Sequence, residues 1–536
     1  MSHSIVKIMA YKKIPRPVSF RDRRVTSTVQ SRIRRRDGFA SLFGCAIWTL
    51  GTLLSLLTLF PEPTLAQKEV TSDVYRFRDR ERMDRYYEEH EYKPRANLPF
   101  VKGEIPRSDL ITIAPTAERV RHRKYLADAH WGLKFYETRT CVDCHPQQAL
   151  SLHTVRLKLT CRHCHGPEPI AGIDHYYSTM NPRRRYAFVC SKCHIGSTYS
   201  YSKFKIHEPN PASVATLKTF PVLFFAFWAL VAVAVGTFAV FLPHTFMWGL
   251  REFLGRKEGS TRKKIKKIKR FTTSQRLFHV LLMVSFITQG ATGLSRMYIE
   301  TRWGESLASL FGGYQGAIAV HRGVGLFMLT LFAAHLLYVL ASVNWRRFPK
   351  SVYGPDSLLP RLEDLFQAVQ HVGWFLGMSK PPKFDRWGYW EKFDYWAVFW
   401  GMVVIGGTGL ILYNPLFSSR FIPGWGLNVA LWIHRIEAIL AMAHVFIIHF
   451  FIGHLRRHNF PMDLAMFEGS VDLEKTRHEK PAWIARVEDA GKLETVMAKE
   501  ASPLLRVIYY LFGFTAVAFC VYLLIGGIVN STSITW

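Results

Sequence analysis

This sequence is short of spare cysteine, and of acidic side chains relative to basic ones. Of its eight cysteines, six fall in three Cys-x-x-Cys-His units, and the other two, Cys45 and Cys520, sit in apolar stretches where a small buried hydrophobe is expected. No pair is left over for a disulfide framework, which excludes the small stapled scaffolds. Asp and Glu total 40 against 70 Lys and Arg. Such an excess of positive charge can mark a nucleic-acid binder. Here it gathers in an N-terminal run, in short segments beside apolar stretches, and in the region between 67 and 221. That distribution reads as membrane topology, and no nucleic-acid partner is expected. No internal repeat or low-complexity tract stands out beyond the three cysteine units.

Apolar runs near the ~20 residues a bilayer span needs occur at 40–60, 222–247, 274–296, 318–343, 394–413, 431–456 and 505–528. The first comes after Arg32, Arg34, Arg35 and Arg36 and precedes Thr64-Leu65-Ala66-Gln67. That pattern fits a signal peptide cut after Ala66 or an uncleaved anchor, and either exports the chain downstream of it. Lys and Arg in the short loops set orientation. Arg256, Lys257 and the run Arg262 to Arg270, then Arg346, Arg347 and Lys350, then Arg456 and Arg457 all fall on one side if the chain alternates. That side is expected to be the cytoplasm, which leaves 67–221 and the loops 297–317 and 414–430 outside. Between 344 and 393, Leu362, Leu365, Phe366, Val369 and Val372 recur at helical spacing, the pattern of an amphipathic helix on the membrane surface or on a partner.

The cysteine units are Cys141-Val142-Asp143-Cys144-His145, Cys161-Arg162-His163-Cys164-His165 and Cys190-Ser191-Lys192-Cys193-His194. Two thiols three positions apart add across the two vinyl groups of one haem, and the adjacent histidine is then held under the iron as its axial ligand. Zinc is the rival reading, since the first two Cys pairs have spacing acceptable for a four-thiolate site. Each pair, however, is followed at once by His, and a zinc site would strand the third pair. Three covalent haem c groups are expected, with His145, His165 and His194 as proximal ligands. After each unit comes one further histidine, His153, His175 or His207, the candidate distal ligands of three bis-histidine haems; His122, His130, His163 and Met180 compete for those places.

Ionisable side chains inside spans are expensive and functional by default. Here they include His279, His321, His335, His434, His444 and His449. His434 and His449 stand fifteen apart, a net rotation of about 60° and a rise of roughly 22 Å, so one helix can serve two stacked haem b groups. Level partners give His321/His434 for an outer haem and His279/His449 for an inner one. His335, fourteen beyond His321, is an alternative to His279. Arg276, Arg322 and Arg435 beside these positions are candidate propionate contacts, for which a forked cation suits. Glu437 is a candidate quinol proton acceptor, or else a counter-charge for Arg435 or Arg322.

At these residues the chain resembles a known family. Gln275-Arg276-Leu277-Phe278-His279 with Thr292-Gly293, and His321-Arg322 opening a span, are similar to the cytochrome b subunits of formate dehydrogenase and nickel–iron hydrogenase. The resemblance implies two haems in a four-helix bundle, with ligands at His279, His321, His434 and His449. The fifteen-residue spacing departs from the fourteen usual there. Ile448-His449-Phe450-Phe451, His454-Leu455-Arg456, Phe460-Pro461-Met462-Asp463, Tyr389-Trp390-Glu391-Lys392 and Ser151-Leu152-His153-Thr154-Val155 resemble bacterial proteins that fuse an exported multihaem c domain to such a b domain, over about 135–475.

The expected fold is mainly α, a transmembrane helical bundle with a four-helix diheme cytochrome b core, flanking spans and an exported, loop-rich triheme cytochrome c domain. Its order runs 1–66 cytoplasmic N-terminus and signal peptide or anchor, 67–221 triheme domain, 222–248 linker span, and 249–273 polybasic cytoplasmic loop. It continues with 274–456 diheme b domain, 457–504 cytoplasmic linker and 505–536 C-terminal span. The expected function is electron transfer in the inner membrane between the quinone pool (menaquinone or ubiquinone) and an exported or periplasmic electron carrier or redox enzyme, with quinol oxidation favoured. The alternative is a haem-bearing membrane anchor subunit of a separate dehydrogenase or reductase.

Overall fold

The computed structural model describes residues 143, 145, 153, 159–165, 180–255 and 266–533. The first apolar run, Cys141, Cys144 and His175 lie outside the described residues.

Six helices are long and apolar enough to cross a bilayer. They are α1 (Pro221–Leu254), α2 (Thr273–Met297), α3 (Gly313–Ser342), α5 (Tyr389–Tyr413), α6 (Gly424–Ala443, continued to Leu455) and α7 (Pro503–Val529), with the shorter α4 (Leu362–Phe375) between α3 and α5. Each long helix matches one expected run. Their starts are set by local chemistry. Thr272 and Gln275 exchange side-chain-to-backbone hydrogen bonds at the head of α2, satisfying two amides that the first turn leaves without helical partners. α5 begins earlier than its apolar run because Glu391 accepts from the Gly388 amide at 2.7 Å.

Helix α2 packs on α3 and α5 on α6, α3 meets α5, and these four form the bundle; α1 lies against α6 and α7 against α2. Large apolar side chains such as Val235, Val240, Leu337, Val403, Leu511 and Ile525 are exposed on the outer faces of these helices. In water that would be a liability, and in a bilayer it is the lipid-facing surface.

The last third of α6 is wound differently. His444–His449 and Phe451–Leu455 are π-helical. A π turn closes one residue later than an α turn, so one such turn between His434 and His449 absorbs one residue. Fifteen positions then rotate like fourteen, about −40° rather than +60°. The departure from the usual spacing is taken up by the backbone.

At one end of the bundle the segments around 270, 344–388 and 457–502 build a cap. A three-stranded antiparallel sheet has β1 (Lys267–Lys269) in the middle, with β2 (Ser470–Asp472) and β3 (Met497–Ala498) on either side. Ile268, Leu473, Trp483 and Ile484 form its core. Buried charges tie the cap to the helices. Glu391 joins Arg270 at 2.6 Å and Lys480 at 2.5 Å, Lys392 meets Asp364 at 2.8 Å, and Arg456 pairs with Glu252 at 2.7 Å while lying over the Trp248 ring. Helix α4 turns Asp364, His371 and Phe375 inward and leaves Leu362, Leu365, Phe366 and Val369 exposed. At the other end, residues 200–208 lie along the head of α6.

Candidate haem sites

Two histidine pairs face each other inside the bundle. His321 of α3 and His434 of α6 have ring centroids 6.2 Å apart, and His279 of α2 and the His449 ring stand 6.5 Å apart. An iron bonded to an imidazole nitrogen on each side at about 2 Å would hold two ring centres roughly 6 Å apart. The gaps therefore fit a bis-histidine haem. Along α6 the two pairs are separated by about 20 Å of helix.

Each pair has a supporting shell that orients the rings. His434 Nδ1 donates to the Ile405 carbonyl at 3.1 Å, with the Thr408 hydroxyl 3.2 Å away. His321 Nδ1 lies 2.9 Å from the hydroxyl of Thr292, which itself donates to the Thr288 carbonyl at 2.7 Å and so accepts from the imidazole. His449 Nδ1 donates to Asp394 at 3.0 Å, and His444 holds the other carboxylate oxygen at 3.0 Å. In the His321, His434 and His449 rings Nδ1 is engaged and Nε2 is left for a metal. His279 Nδ1 is buried with no hydrogen-bond partner among the described residues. Two glycines stand beside the His321/His434 pair: a Cβ at Gly293 would sit 3.5 Å from His321 Cε1, and one at Gly409 would sit 3.4 Å from His434 Cε1. Their bare backbones leave room at the ring edges for a flat cofactor.

His335 takes no part in the inner pair. Its Nε2 is hydrogen-bonded to the Tyr395 hydroxyl at 3.0 Å, and its ring lies 4.5 Å from Phe278. Among the arginines singled out by sequence, Arg322 bonds the Tyr413 carbonyl and covers its ring, Arg276 reaches the Tyr509 hydroxyl at 3.5 Å, and Arg435 lies over Trp432. Arg296, which sequence reasoning passed over, is close enough to act electrostatically on both His321 and His434. Glu437 is buried, and its Oε2 has no partner among the described residues.

Outside the bundle two more histidine pairs form, and they cross the chain order. His194 of the third unit faces His153 at 6.2 Å, and His165 of the second faces His207 at 6.4 Å. Burial, with His153 beside it, pushes the His194 imidazole down to about 4, and burial lowers that of His153 as well. Burial thus favours in both the neutral form, which is the one that binds metal. Burial likewise raises the thiols of Cys164, Cys190 and Cys193, and Cys193 is near enough to Cys164 to act on it. The second and third units are thus neighbours. His163 is turned back on Thr160, with Nδ1 accepting from its amide at 3.0 Å. His145 is exposed.

The segment 200–208 is fastened to α6. Asn428, fully buried, donates to the Lys205 carbonyl and accepts from the Lys205 amide, both at 2.9 Å, and also donates to Glu208. Trp432 Nε1 donates to the second Glu208 oxygen at 2.9 Å. Burial pushes the Glu208 carboxyl up, and these two bonds, with Arg435 nearby, offset part of that. The Gly424 amide donates to the Ser200 carbonyl at 2.9 Å, and a Cβ there would fall 2.4 Å from both Phe204 N and the Tyr201 carbonyl oxygen. Only glycine permits this approach.

Asp394, Thr292, Thr408, Arg296 and the Glu208–Asn428 contact were not among the residues singled out from sequence. Asp394 did carry a signal, as a carboxylate opening an expected span.

Comparison with known proteins agrees with the geometry. Residues 270–469 match the family described as prokaryotic cytochrome b561. The formate dehydrogenase cytochrome b556 subunit of Haemophilus influenzae is 24% identical over 242 residues, 44% of this chain and 90% of that protein. The formate dehydrogenase cytochrome b556(fdo) subunit of Escherichia coli is 24% identical over 221 residues, 41% of this chain and 93% of the relative. The region matched by the family contains both histidine pairs of the bundle. The chain therefore carries a b-type cytochrome domain, similar to prokaryotic cytochrome b561 over residues 270–469, and is a multi-pass membrane protein of haem-b electron transfer.

Proposed function

We propose that the chain moves electrons between the membrane quinone pool and an exported redox partner, with quinol oxidation as the working direction. The observation that carries this reading is the pair of facing imidazole sets at two depths of one bundle, 6.2 and 6.5 Å between ring centres. His321 and His434 would hold an outer haem b, and His279 and His449 an inner one. Cys161, Cys164 and His165 with His207, and Cys190, Cys193 and His194 with His153, would hold two haem c groups. Cys141, Cys144 and His145 would hold a third, with His175 as its candidate distal ligand. When bound, haem supplies one-electron redox chemistry at each of these places, and with both axial positions filled by histidine no substrate reaches the iron.

A quinol gives up two protons with its two electrons, so protein groups near the site must receive them. His454 lies beside the inner pair, near enough to act electrostatically on His279, and its Nδ1 has no partner among the described residues. It is the group we assign to quinol at the inner end. Glu437, with its own carboxyl oxygen lacking a partner among the described residues, supports a second reading in which the quinol meets the outer end. The inner end would face the cytoplasm, because the Lys- and Arg-rich loops lie there, and the c-haem units would face the exported side of the inner membrane. The relatives are subunits of formate dehydrogenase by name. An anchor role beside a separate redox enzyme is the alternative, and co-purification of a catalytic partner would favour it.

A reduced-minus-oxidised spectrum with pyridine haemochrome quantification tests the reading. Three c and two b haems per chain are expected. A menaquinol analogue added to the oxidised protein should reduce the b bands and then the c bands; b bands that stay oxidised would overturn the quinol-oxidising direction. Slowing by His454→Ala but not Glu437→Gln places the quinol at the inner end, and the reverse result places it at the outer end.

A further inference from the structure

The geometry points to residues 200–208 as a coupling clamp that seats the His165/His207 pair against the outer His321/His434 pair, with Glu208 as its positioning residue. This inference rests on the haem reading above and adds to it which c-type centre exchanges electrons with the bundle.

Three observations carry it. First, His207 is the immediate neighbour of Glu208, and its ring faces His165 at 6.4 Å. Second, Glu208 is bound from the other side by two side chains of α6, Asn428 and Trp432, and Trp432 precedes His434 by two positions. The link from His207 to α6 is therefore one residue and one hydrogen bond, 2.9 Å from Trp432 to Glu208. Along α6, Trp432 and His434 differ by about 3 Å in depth and by about 200° around the axis. Third, the seat is backed by main chain: Lys205 is held at both its amide and its carbonyl by Asn428, and Ser200 accepts from the Gly424 amide. Asn428 and Trp432 are 0% and 2% exposed, so the contact is a packed one. The other pair, His153/His194, adjoins the first through Cys164 and Cys193 and reaches the same segment through the His194 and Tyr201 rings, 5.1 Å apart; His207 alone is bonded in sequence to the Glu208 seat, and its pair is taken as the entry point.

His321 and His434 would hold the donor haem and His165 and His207 the acceptor; one electron would pass between them, the donor iron being oxidised from ferrous to ferric and the acceptor reduced from ferric to ferrous. The electron's source is the quinol of the proposed function, and no proton moves in this step.

The test uses the full-length haem-loaded protein in lipid nanodiscs, comparing wild type with Glu208→Ala, Asn428→Ala and the conservative Glu208→Gln. Electrons are delivered in two ways, by a menaquinol analogue and by a photoexcited one-electron reductant. Expected in the two alanine variants are five haems by pyridine haemochrome, b-band reduction at the wild-type rate, and c-band reduction slowed at least tenfold, with Glu208→Gln restoring most of that rate. Trypsin cleavage after Lys203 and Lys205, read by peptide mapping, should quicken roughly tenfold as the clamp opens. Wild-type c-band reduction in variants whose clamp cleavage has quickened would overturn the inference. So would unchanged cleavage in both alanine variants. Failure of the quinol alone to reduce the b bands would count against the quinol reading instead, and the light-driven delivery would still report the step from b to c.

Discussion

Asp394 holds His449 and His444 at once, one carboxylate oxygen to each imidazole at 3.0 Å. The carboxylate thereby fixes the His449 ring, a proposed inner haem ligand, from behind and ties it to the wide turns of α6. Outer-shell partners of this kind typically change metal affinity by about 10–100-fold when removed. Asp394→Ala should lower the b-haem content of the purified protein from two towards one, with the outer haem retained. Pyridine haemochrome quantification reads the loss, and two haems at full occupancy would count against the role.

His279 and His335 both lie at the depth of the proposed inner haem, but His279 faces His449 while His335 bonds Tyr395. His279→Ala should remove about half of the b-type absorbance. His335→Ala should keep it and lose only the bond to Tyr395, worth about 1 kcal/mol of stability. Equal losses in the two variants would return the assignment to an open choice.

The crossed pairing outside the bundle makes a prediction that the chain order does not. In a Cys190→Ala/Cys193→Ala background, where the third haem is absent, His153→Ala should leave the remaining low-spin c signals unchanged. His207→Ala in that background should convert one of them to high spin. Electron paramagnetic resonance distinguishes the two, and the opposite pattern would restore sequential pairing.

Removing Ile447, inside the π-helical turn, should be tolerated. The deletion brings His434 and His449 to fourteen residues apart and lets the turn close as ordinary α-helix. Both b haems should remain. Loss of the inner haem by pyridine haemochrome quantification would count against this role for the turn.

Lys392→Ala would leave Asp364 mostly buried without its cation, a loss of about 3–5 kcal/mol for a buried pair. The midpoint of thermal unfolding should fall, and protease should cut the 344–388 region first. Replacing both partners with apolar residues should recover most of the stability.

Much of this architecture is legible in the sequence because it is periodic or covalent in origin. Every span after the first can be recognised by its apolar run, the cysteine units by spacing, and the bundle pairs by depth along α6. The features that escape a sequence reading depend on contacts between distant positions. Glu208 meets Asn428 across 220 residues, and His194 turns back to His153, so no local pattern announces either. Arg322 and Arg276 stand beside the histidines in sequence, and their bonds to the Tyr413 carbonyl and the Tyr509 hydroxyl could not have been read from it. The π-helical turn leaves only the trace of one extra residue between two histidines.

The middle position of β1 in its sheet bears on how the chain is assembled. Its partners are synthesised about 200 and 230 residues later, the second just ahead of α7. The four bundle helices can thus enter the bilayer and collect their cofactors while the sheet still lacks its edges. Registration of the two strands would come last, a latch thrown at the end of translation that pins the ends of α2 and α7 in one act.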